Sequence, residues 1–122
     1  MKKSNKIWKP IIWDDFIKIW SKINNMYVYG VTILIVIIMR KDDGSKKWLK
    51  YLNHENIHVR QSLETFIIGF ILIYLINYII NLFLYKSHKE AYLNVIFEKE
   101  AFDNDDDLFY LDERKLYAWL NY

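Results

Sequence analysis

Two histidines that flank a glutamate are the part of this sequence best suited to chemistry. His54, Glu55 and His58 form an H-E-x-x-H motif, which Gln61 extends to H-E-x-x-H-x-x-Q. Residues four apart share one face of a helix, so both imidazoles can bind one metal ion. Glu55 then lies beside the open side of that ion, where zinc lowers the pKa of a bound water and a carboxylate can accept its proton. The spacing predicts a catalytic zinc site with Glu55 as general base.

The competing interpretation of the motif is purely structural. An amphipathic helix can carry two histidines on its surface without binding a metal. The chain has only three histidines, however, and two of them fall at this spacing around a glutamate. Because the motif corresponds to a definite mechanism, we favour the metal site.

Composition limits the classes of protein that fit this chain. Its 122 residues suit a single domain, residues 1–122. The absence of cysteine excludes disulfides, thiolate zinc ligands and a cysteine nucleophile. The net charge of +2 is uneven: residues 1–60 carry 12 Lys/Arg and 5 Asp/Glu (+7), and residues 61–122 carry 5 and 10 (−5). The lysines follow no nucleic-acid motif, so a nucleic-acid partner is not expected, whereas association with an anionic membrane fits the basic half.

The first half of the chain predicts a helix followed by a β-hairpin. Residues 13–24 have helical periodicity. Tyr27–Met39 is rich in Val, Ile, Tyr and Thr, which is typical of a buried strand. Asp42–Ser45 is a turn signal, after which Trp48–Leu52 predicts the returning strand. Asn53 is then the expected N-cap of the His54 helix.

The second half predicts helices almost throughout. Glu90–Phe102 and Leu108–Leu120 have helical patterns, and the acidic run Asp103–Asp107 is expected to be a solvated turn that caps the last helix. The expected core residues of the last helix are Phe109, Leu116 and Trp119. The predicted fold is therefore α+β and mostly α: a short β-hairpin at about residues 27–52 packs on three to five helices, which carry the H-E-x-x-H motif and the downstream glutamates.

Phe66–Tyr85 is twenty residues long and has no charged side chain. Hydropathy alone makes it a candidate transmembrane helix. Polar residues nevertheless recur every three or four positions along it, at Tyr74, Asn77, Tyr78, Asn81 and Tyr85. Such a stripe predicts that one face meets polar partners. A core helix and a membrane-embedded helix both remain open.

A zinc site needs a third protein ligand, and His88, Glu98 and Glu100 are the candidates. The second glutamate-bearing segment stands as Ala91-Tyr92-Leu93-Asn94-Val95-Ile96-Phe97-Glu98-Lys99-Glu100-Ala101. Together with the H-E-x-x-H-x-x-Q motif it resembles small gluzincin-type metallopeptidases, in which a downstream helix reads E-x-x-A or E-x-E-A. The resemblance extends over 53–102 and is greatest to compact bacterial and phage-encoded proteins of this type.

The resemblance implies a zinc ligand set of His54, His58 and Glu98. It also implies that Glu100 either supports the ligands or lies on the surface, and that Ala101 is small to let two helices approach. Many gluzincins have an acidic residue after that alanine to support a histidine ligand, but this chain has Phe102 there. The partner of the histidines is therefore open at this stage.

Ligation by Glu98 requires the apolar segment to be broken. A straight helix would place Tyr85 about 40 Å from His58, and the thirteen residues from Tyr85 to Glu98 cover only about 20 Å as helix. We therefore expect a break at Gly69, a return along Phe70–Leu84, and a third helix that brings Glu98 to the metal.

Four further side chains have sequence-based interpretations. Tyr92 is a candidate to stabilise an oxyanion, because a phenol near a metal can donate to one. Arg60 is expected on the solvated face or paired with Glu64. Gln61 could bond a site residue or lie on the surface. His88 is expected in a loop or at a helix start rather than on the metal.

Two functional hypotheses follow. The first is a zinc-dependent hydrolase, a small metallopeptidase with Glu55 as base and a peptide or protein substrate. The second is a non-catalytic protein with a peptidase-like fold, serving as a component of a larger phage or membrane assembly. A membrane protein without metal would require the motif to be a coincidence. The compartment stays open between cytoplasm, membrane and virion.

Overall fold

Three short strands form one sheet, which packs on the helix that carries His54. The computed structural model describes residues 2–122. It is a mostly helical α+β fold, which confirms the predicted class. The elements in chain order are β1 (Ile11–Ile12), α1 (Asp14–Asn24), β2 (Gly30–Ile33), β3 (Val36–Met39), α2 (Lys46–Glu64), α3 (Ile68–Tyr85), α4 (His88–Leu93), α5 (Ile96–Asn104), α6 (Tyr110–Glu113) and a 3₁₀ helix (Ala118–Asn121).

The sheet has the order β1-β3-β2, with β1 parallel and β2 antiparallel to the central strand β3. The β2–β3 hairpin turns tightly at Leu34–Ile35, where Leu34 has a φ of 59°. Gly30 lies opposite Met39 in the register, and a Cβ at Gly30 would lie 2.1 Å from Met39 Sδ. A side chain at Gly30 would therefore displace Met39, which is fully buried.

Both strands of the hairpin lie within Tyr27–Met39, so the prediction of one strand there followed by a turn at Asp42–Ser45 is wrong. Trp48–Leu52 belongs to the first turns of α2, and the strand predicted there is wrong. The Ser45 hydroxyl caps the helix by accepting from the Trp48 backbone N–H at 3.0 Å, so the predicted cap at Asn53 is also wrong. Asn53 is buried within α2 and donates to the carbonyls of Asp105 and Asp107.

The chain breaks between α2 and α3, as the position of Glu98 requires. The break lies at residues 65–67 rather than at Gly69, which is in the first turn of α3. Phe66 and Ile67 have φ angles of 57° and 66°, in the left-handed region that a β-branched residue rarely adopts. The Ile67 backbone N–H donates to the carbonyl of Ser62 at 2.7 Å and fixes the turn.

The polar stripe of α3 meets polar partners on α4 and α5, as its spacing predicts. Tyr78 bonds His88 at 2.6 Å, and Asn81 donates to the carbonyl of Ala91 at 3.0 Å. Asn77 accepts from the Ile96 backbone N–H at 2.8 Å. Tyr85 departs from the pattern and is exposed. Tyr74 bonds Glu98 and Asn77 bonds Ile96, so α5 runs antiparallel to α3. The α4 partners of Tyr78 and Asn81 instead follow the same order as α3.

The other face of α3 is apolar and exposed. Asn81 is the one buried residue of this helix, which is therefore not a core helix. Among the residues that the structure describes, Ile68–Tyr85 is the one helix long and apolar enough to cross a membrane, with a mean hydropathy of 2.0. Length and composition are the basis of that statement.

The C-terminal part is more divided than the sequence indicates. The helix predicted at Glu90–Phe102 is interrupted between α4 and α5, where Val95 is extended. The final helix predicted at Leu108–Leu120 is only the short α6 and a 3₁₀ helix. Of its expected core residues Trp119 is buried, whereas Phe109 and Leu116 are exposed.

A buried ion network ties this C-terminal part to α2 and α5. The Arg114 guanidinium contacts the carboxylates of Glu64 and Glu100 at 2.6 to 3.0 Å. Tyr110 also donates to Glu100 at 2.7 Å. The predicted pairing of Glu64 with Arg60 is thus wrong; the guanidinium of Arg60 instead lies over the ring of Trp8.

Candidate metal centre

His54 and His58 lie one turn apart on α2 and point at the same atom. The Nε2 atoms of both rings are 3.0 Å from Glu98 Oε1. All three residues are buried. The structure thus brings together the two histidines of the motif and the third ligand implied by the resemblance.

The packing of α5 against α2 carries Glu98 to the histidines. Phe97 and Ala101 of α5 are fully buried, and Ala101 belongs to the same apolar cluster as Ile57 and Val59 of α2. A larger side chain at Ala101 would separate the two helices, which agrees with the expected role of this alanine.

Each histidine forms a second hydrogen bond through its Nδ1 atom, on the side of the ring away from Glu98. Asp105 Oδ2 lies 3.1 Å from His54 Nδ1, and Gln61 Oε1 lies 2.7 Å from His58 Nδ1. Such bonds fix ring orientation and tautomer, leaving Nε2 for a metal. The sequence did not indicate which residue supports the histidines. The Phe102 ring packs against His54, with 4.4 Å between centroids, and Asp105 supplies the carboxylate three residues later.

Asp105 is the supporting residue that sequence reasoning missed. The acidic run was expected to be solvated, and the Asp106 side chain is indeed 83% exposed, but that of Asp105 is fully buried. The sequence did indicate that a carboxylate follows shortly after the segment that contains Glu98 and Glu100. Five adjacent polar residues, however, do not show which one turns inward.

Gln61 and Glu100 link the site to the buried ion network. The amide nitrogen of Gln61 donates to Glu100 Oε1 at 3.0 Å, while its oxygen accepts from His58. Both side chains are fully buried. Of the two interpretations given to Gln61, the bond to a site residue is therefore confirmed. Glu100 is buried and bonds Gln61, the partner of His58, rather than lying on the surface.

Tyr74 is a second residue of the site that sequence reasoning did not assign to it. Its hydroxyl donates to Glu98 Oε2 at 2.7 Å. The two oxygens of Glu98 thus have different partners, since Oε1 faces the histidines. The signal was the polar stripe of α3, but the stripe alone did not identify Glu98 as the partner.

The electrostatics of the three candidate ligands favour positive charge between them. Burial lowers the pKa of His54, but its bonds to Asp105 and Glu98 outweigh that effect and raise it to about 10. Burial likewise opposes charge on His58, and the nearby Glu98 carboxylate raises its pKa. Burial acts to raise the pKa of Glu98, yet the two histidines hold it well below its usual range. A divalent cation and these protons would compete for the same place.

Glu55 lies beside the three residues and is held by the hairpin. The Thr32 hydroxyl on β2 is 2.7 Å from Glu55 Oε2 and 3.1 Å from the Glu55 carbonyl oxygen. Glu55, His58 and Glu98 line one cavity of about 560 Å³, which lies between the hairpin and α3. A carboxylate, candidate ligands and space for a substrate therefore meet in one place.

Tyr92 and His88 also line this cavity. Burial raises the pKa of the Tyr92 hydroxyl well above its ordinary value, with the charge of Glu98 adding to the effect, so it stays a proton donor. His88 lies at the start of α4, with its Nδ1 bonded to Tyr78, and does not belong to the ligand cluster. Its expected place at a helix start is confirmed.

The donor set fits a divalent metal of the zinc type. One nitrogen from each of two histidines and one carboxylate oxygen lie within 4.8 Å of one another. Two ligands of a tetrahedral ion at about 2.0 Å are separated by about 3.3 Å, close to the 3.0 Å between each Nε2 and Glu98 Oε1. Three protein ligands of this kind leave one position open, as in catalytic zinc sites. The three donor atoms fit zinc and also fit other divalent metals that bind histidine and carboxylate.

Comparison with known families, curated proteins and solved structures finds no match to this chain.

Proposed function

We propose that this protein is a zinc-dependent hydrolase that cleaves peptide bonds, with the gluzincin-type ligand set His54, His58 and Glu98. The observation that carries the proposal is the convergence of both Nε2 atoms on Glu98 Oε1 beside the cavity that also contains Glu55. Zinc held there would polarise the substrate carbonyl and make water acidic enough to attack near neutral pH.

Glu55 acts as the general base of the proposed reaction. Its carboxylate takes a proton from the water whose oxygen bonds to the carbonyl carbon, and passes that proton to the amine as the C–N bond breaks. Thr32 holds one oxygen of this carboxylate and so limits its rotation. Tyr92, which lines the same cavity, donates to the oxyanion that the carbonyl oxygen becomes.

The ligand residues are preorganised by their own partners. Asp105 and Gln61 orient the imidazoles, and Tyr74 orients Glu98. These bonds restrict the rotation of the three side chains, so less conformational entropy is lost when a metal binds. The resemblance to the gluzincin motifs supports the same assignment from sequence.

Metal content and base chemistry test the proposal separately. We expect about one zinc per chain by elemental analysis, and loss of it in His58→Ala. Glu55→Gln should keep the zinc and lower peptide hydrolysis by at least about 100-fold, since it removes the base. Glu90→Gln, which changes an exposed glutamate on α4, is the matched control and should retain activity. Protein without zinc, or hydrolysis that persists in Glu55→Gln, would refute the assignment.

The second candidate is a non-catalytic component of a larger phage or membrane assembly. The observation that favours it is the amount of exposed apolar surface on α1, β2 and α3, which suits burial against partners. A protein that holds zinc, shows no activity to lose in Glu55→Gln, and assembles equally well with that change would support this candidate.

A further inference from the structure

The exposed face of α3 carries a continuous row of large apolar side chains. They recur every three or four residues from the first turn of the helix to its last. The exposed members are Ile68, Ile71, Leu72, Leu75, Ile76, Ile79, Ile80, Phe83 and Leu84. We call this set the α3 apolar face. A water-exposed monomer rarely keeps such a patch, so the face is expected to contact something apolar.

The shape of this face suits the hydrocarbon of a lipid bilayer. The 18 residues of α3 rise about 27 Å, and the apolar face extends over this whole length. No charged residue interrupts the helix, and Lys86 and Lys89 follow it, both exposed. Basic residues at such a boundary fit anionic lipid headgroups.

Only one side of α3 is available to lipid. Tyr74, Asn77, Tyr78 and Asn81 are bonded to residues of α4 and α5 along the opposite side. The helix therefore resembles an interfacial helix, with one apolar face outward and one polar face against its own protein. Contact with lipid would leave these bonds intact.

The cavity reaches the same surface. Ile71 and Leu75 of the α3 apolar face form part of its wall, and Ile33 and Leu34 at the tip of the hairpin form another part. All four side chains are exposed. Trp20 of α1 also lines the cavity and is exposed, and tryptophan is enriched at the boundary between membrane and water. The cavity is thus bordered by residues suited to lipid and ends at the candidate metal centre.

We propose that the α3 apolar face contacts the acyl chains of a lipid bilayer, and that the cavity admits an apolar polypeptide segment from that bilayer to Glu55. The first half stands on the surface alone, and the second half rests on the proposed hydrolase function. The substrate class is then a membrane-inserted polypeptide rather than a soluble peptide. An apolar segment in the bilayer could enter between α3 and the hairpin without first being transferred to water.

Flotation with vesicles tests the lipid contact without any activity. Full-length protein is mixed with vesicles of phosphatidylcholine with or without phosphatidylglycerol, and centrifuged through a density gradient. The wild type should float with the vesicles, and more completely when phosphatidylglycerol is present. The double variant Leu72→Lys/Ile76→Lys should remain at the bottom, since two charges on the face oppose burial in hydrocarbon.

Leu116→Lys is the matched control for that experiment. Leu116 is an exposed leucine outside α3, so its replacement should leave flotation unchanged. Equal zinc content in all three proteins would show that the fold and the metal centre are intact. A wild type that stays at the bottom, or a double variant that floats as well as the wild type, overturns the proposal. A stable dimer that is cross-linked through Ile76→Cys and does not float would assign the face to a second copy.

A pair of substrates separates the inference from the proposed function. Zinc-loaded wild type is given either an apolar transmembrane peptide in vesicles or a polar soluble peptide, with Glu55→Gln as the blank. We expect at least about 10-fold higher kcat/KM for the membrane-inserted peptide. Equal cleavage of both overturns the substrate class but leaves the hydrolase. Cleavage of neither, by protein that floats and contains zinc, refutes the hydrolase but leaves the lipid contact.

Discussion

The Tyr74 hydroxyl donates a 2.7 Å hydrogen bond to Glu98 Oε2, while Glu98 Oε1 lies 3.0 Å from both histidine Nε2 atoms. One carboxylate thus connects the helix with the exposed apolar face to the helix with the H-E-x-x-H motif. The bond fixes which oxygen of Glu98 faces the histidines. The orientation of the third candidate ligand therefore depends on the position of α3.

Removing this hydroxyl should weaken metal binding without unfolding the protein. We predict that Tyr74→Phe lowers the zinc affinity by about 10- to 100-fold, the usual effect of losing a residue that orients a ligand. Titration of zinc against a chromogenic chelator measures the change. Tyr78→Phe is the control, because this tyrosine lies on the same helix but bonds His88. Equal affinities of the two variants would contradict the role given to Tyr74.

The carboxylate behind His54 should have a comparable effect. We predict that Asp105→Asn lowers zinc affinity by about 10- to 100-fold, because a neutral amide is a weaker partner for the Nδ1 proton of His54. Asp106→Asn is a close control, since both aspartates lie near Lys50 and only Asp105 contacts a histidine. The same chelator titration applies. An unchanged affinity in Asp105→Asn would mean that ring orientation is set by packing against Phe102.

Zinc-free protein should lose stability as pH rises, while the stabilisation added by zinc should increase. The folded pKa of His54 is raised from 6.5 to about 10, so its contribution to zinc-free stability is complete below pH 6.5 and is lost as pH rises toward 10. Zinc needs the deprotonated ring, so the stabilisation that zinc adds should grow over the same interval.

Thermal unfolding at pH 6.5 and pH 9.5, with chelator or with zinc, measures both trends. His54→Gln should flatten the zinc-free trend, since it removes the titrating group. A zinc-free protein that becomes more stable over this interval would contradict the assignment of the raised pKa to His54.

The buried ion network behind the site should dominate the stability of the C-terminal part. Arg114→Met leaves the carboxylates of Glu64 and Glu100 buried without their cation, which we expect to cost about 3–5 kcal/mol of unfolding free energy. Urea denaturation measures this cost. Lys115→Met, at an exposed neighbour, should change stability by less than about 0.5 kcal/mol. A loss below about 1 kcal/mol in Arg114→Met would show that water reaches the carboxylates.

The sequence predicted the parts of the site that depend on local spacing. The i, i+4 placement of His54 and His58 follows from helix geometry, and the broken path to Glu98 follows from chain length. The predicted position of the break is wrong, because Gly69 only weakens a helix in general. The left-handed angles of Phe66 and Ile67 accompany a backbone hydrogen bond from the Ile67 N–H to the Ser62 carbonyl, which the sequence pattern does not indicate.

Features that depend on contacts between distant residues could not be predicted as well from the sequence. Trp48–Leu52 has strand-like composition, but Ser45 starts a helix there that continues into the motif and overrides that preference. Asp105 and Tyr74 belong to the site through pairings 51 and 24 residues apart. One sequence does not show which of several polar residues such a pairing selects.

Because α5 runs antiparallel to α3, the position of the third candidate ligand does not depend on the length of the apolar helix. Tyr74, near the start of α3, lies opposite Glu98, while Lys86–Ser87 forms the turn at the far end. Whole helical turns inserted on both sides of that turn would lengthen the apolar helix without displacing Glu98. Homologues with α3 helices of different lengths could therefore differ in the number of residues between the H-E-x-x-H motif and the glutamate while keeping the same candidate metal centre.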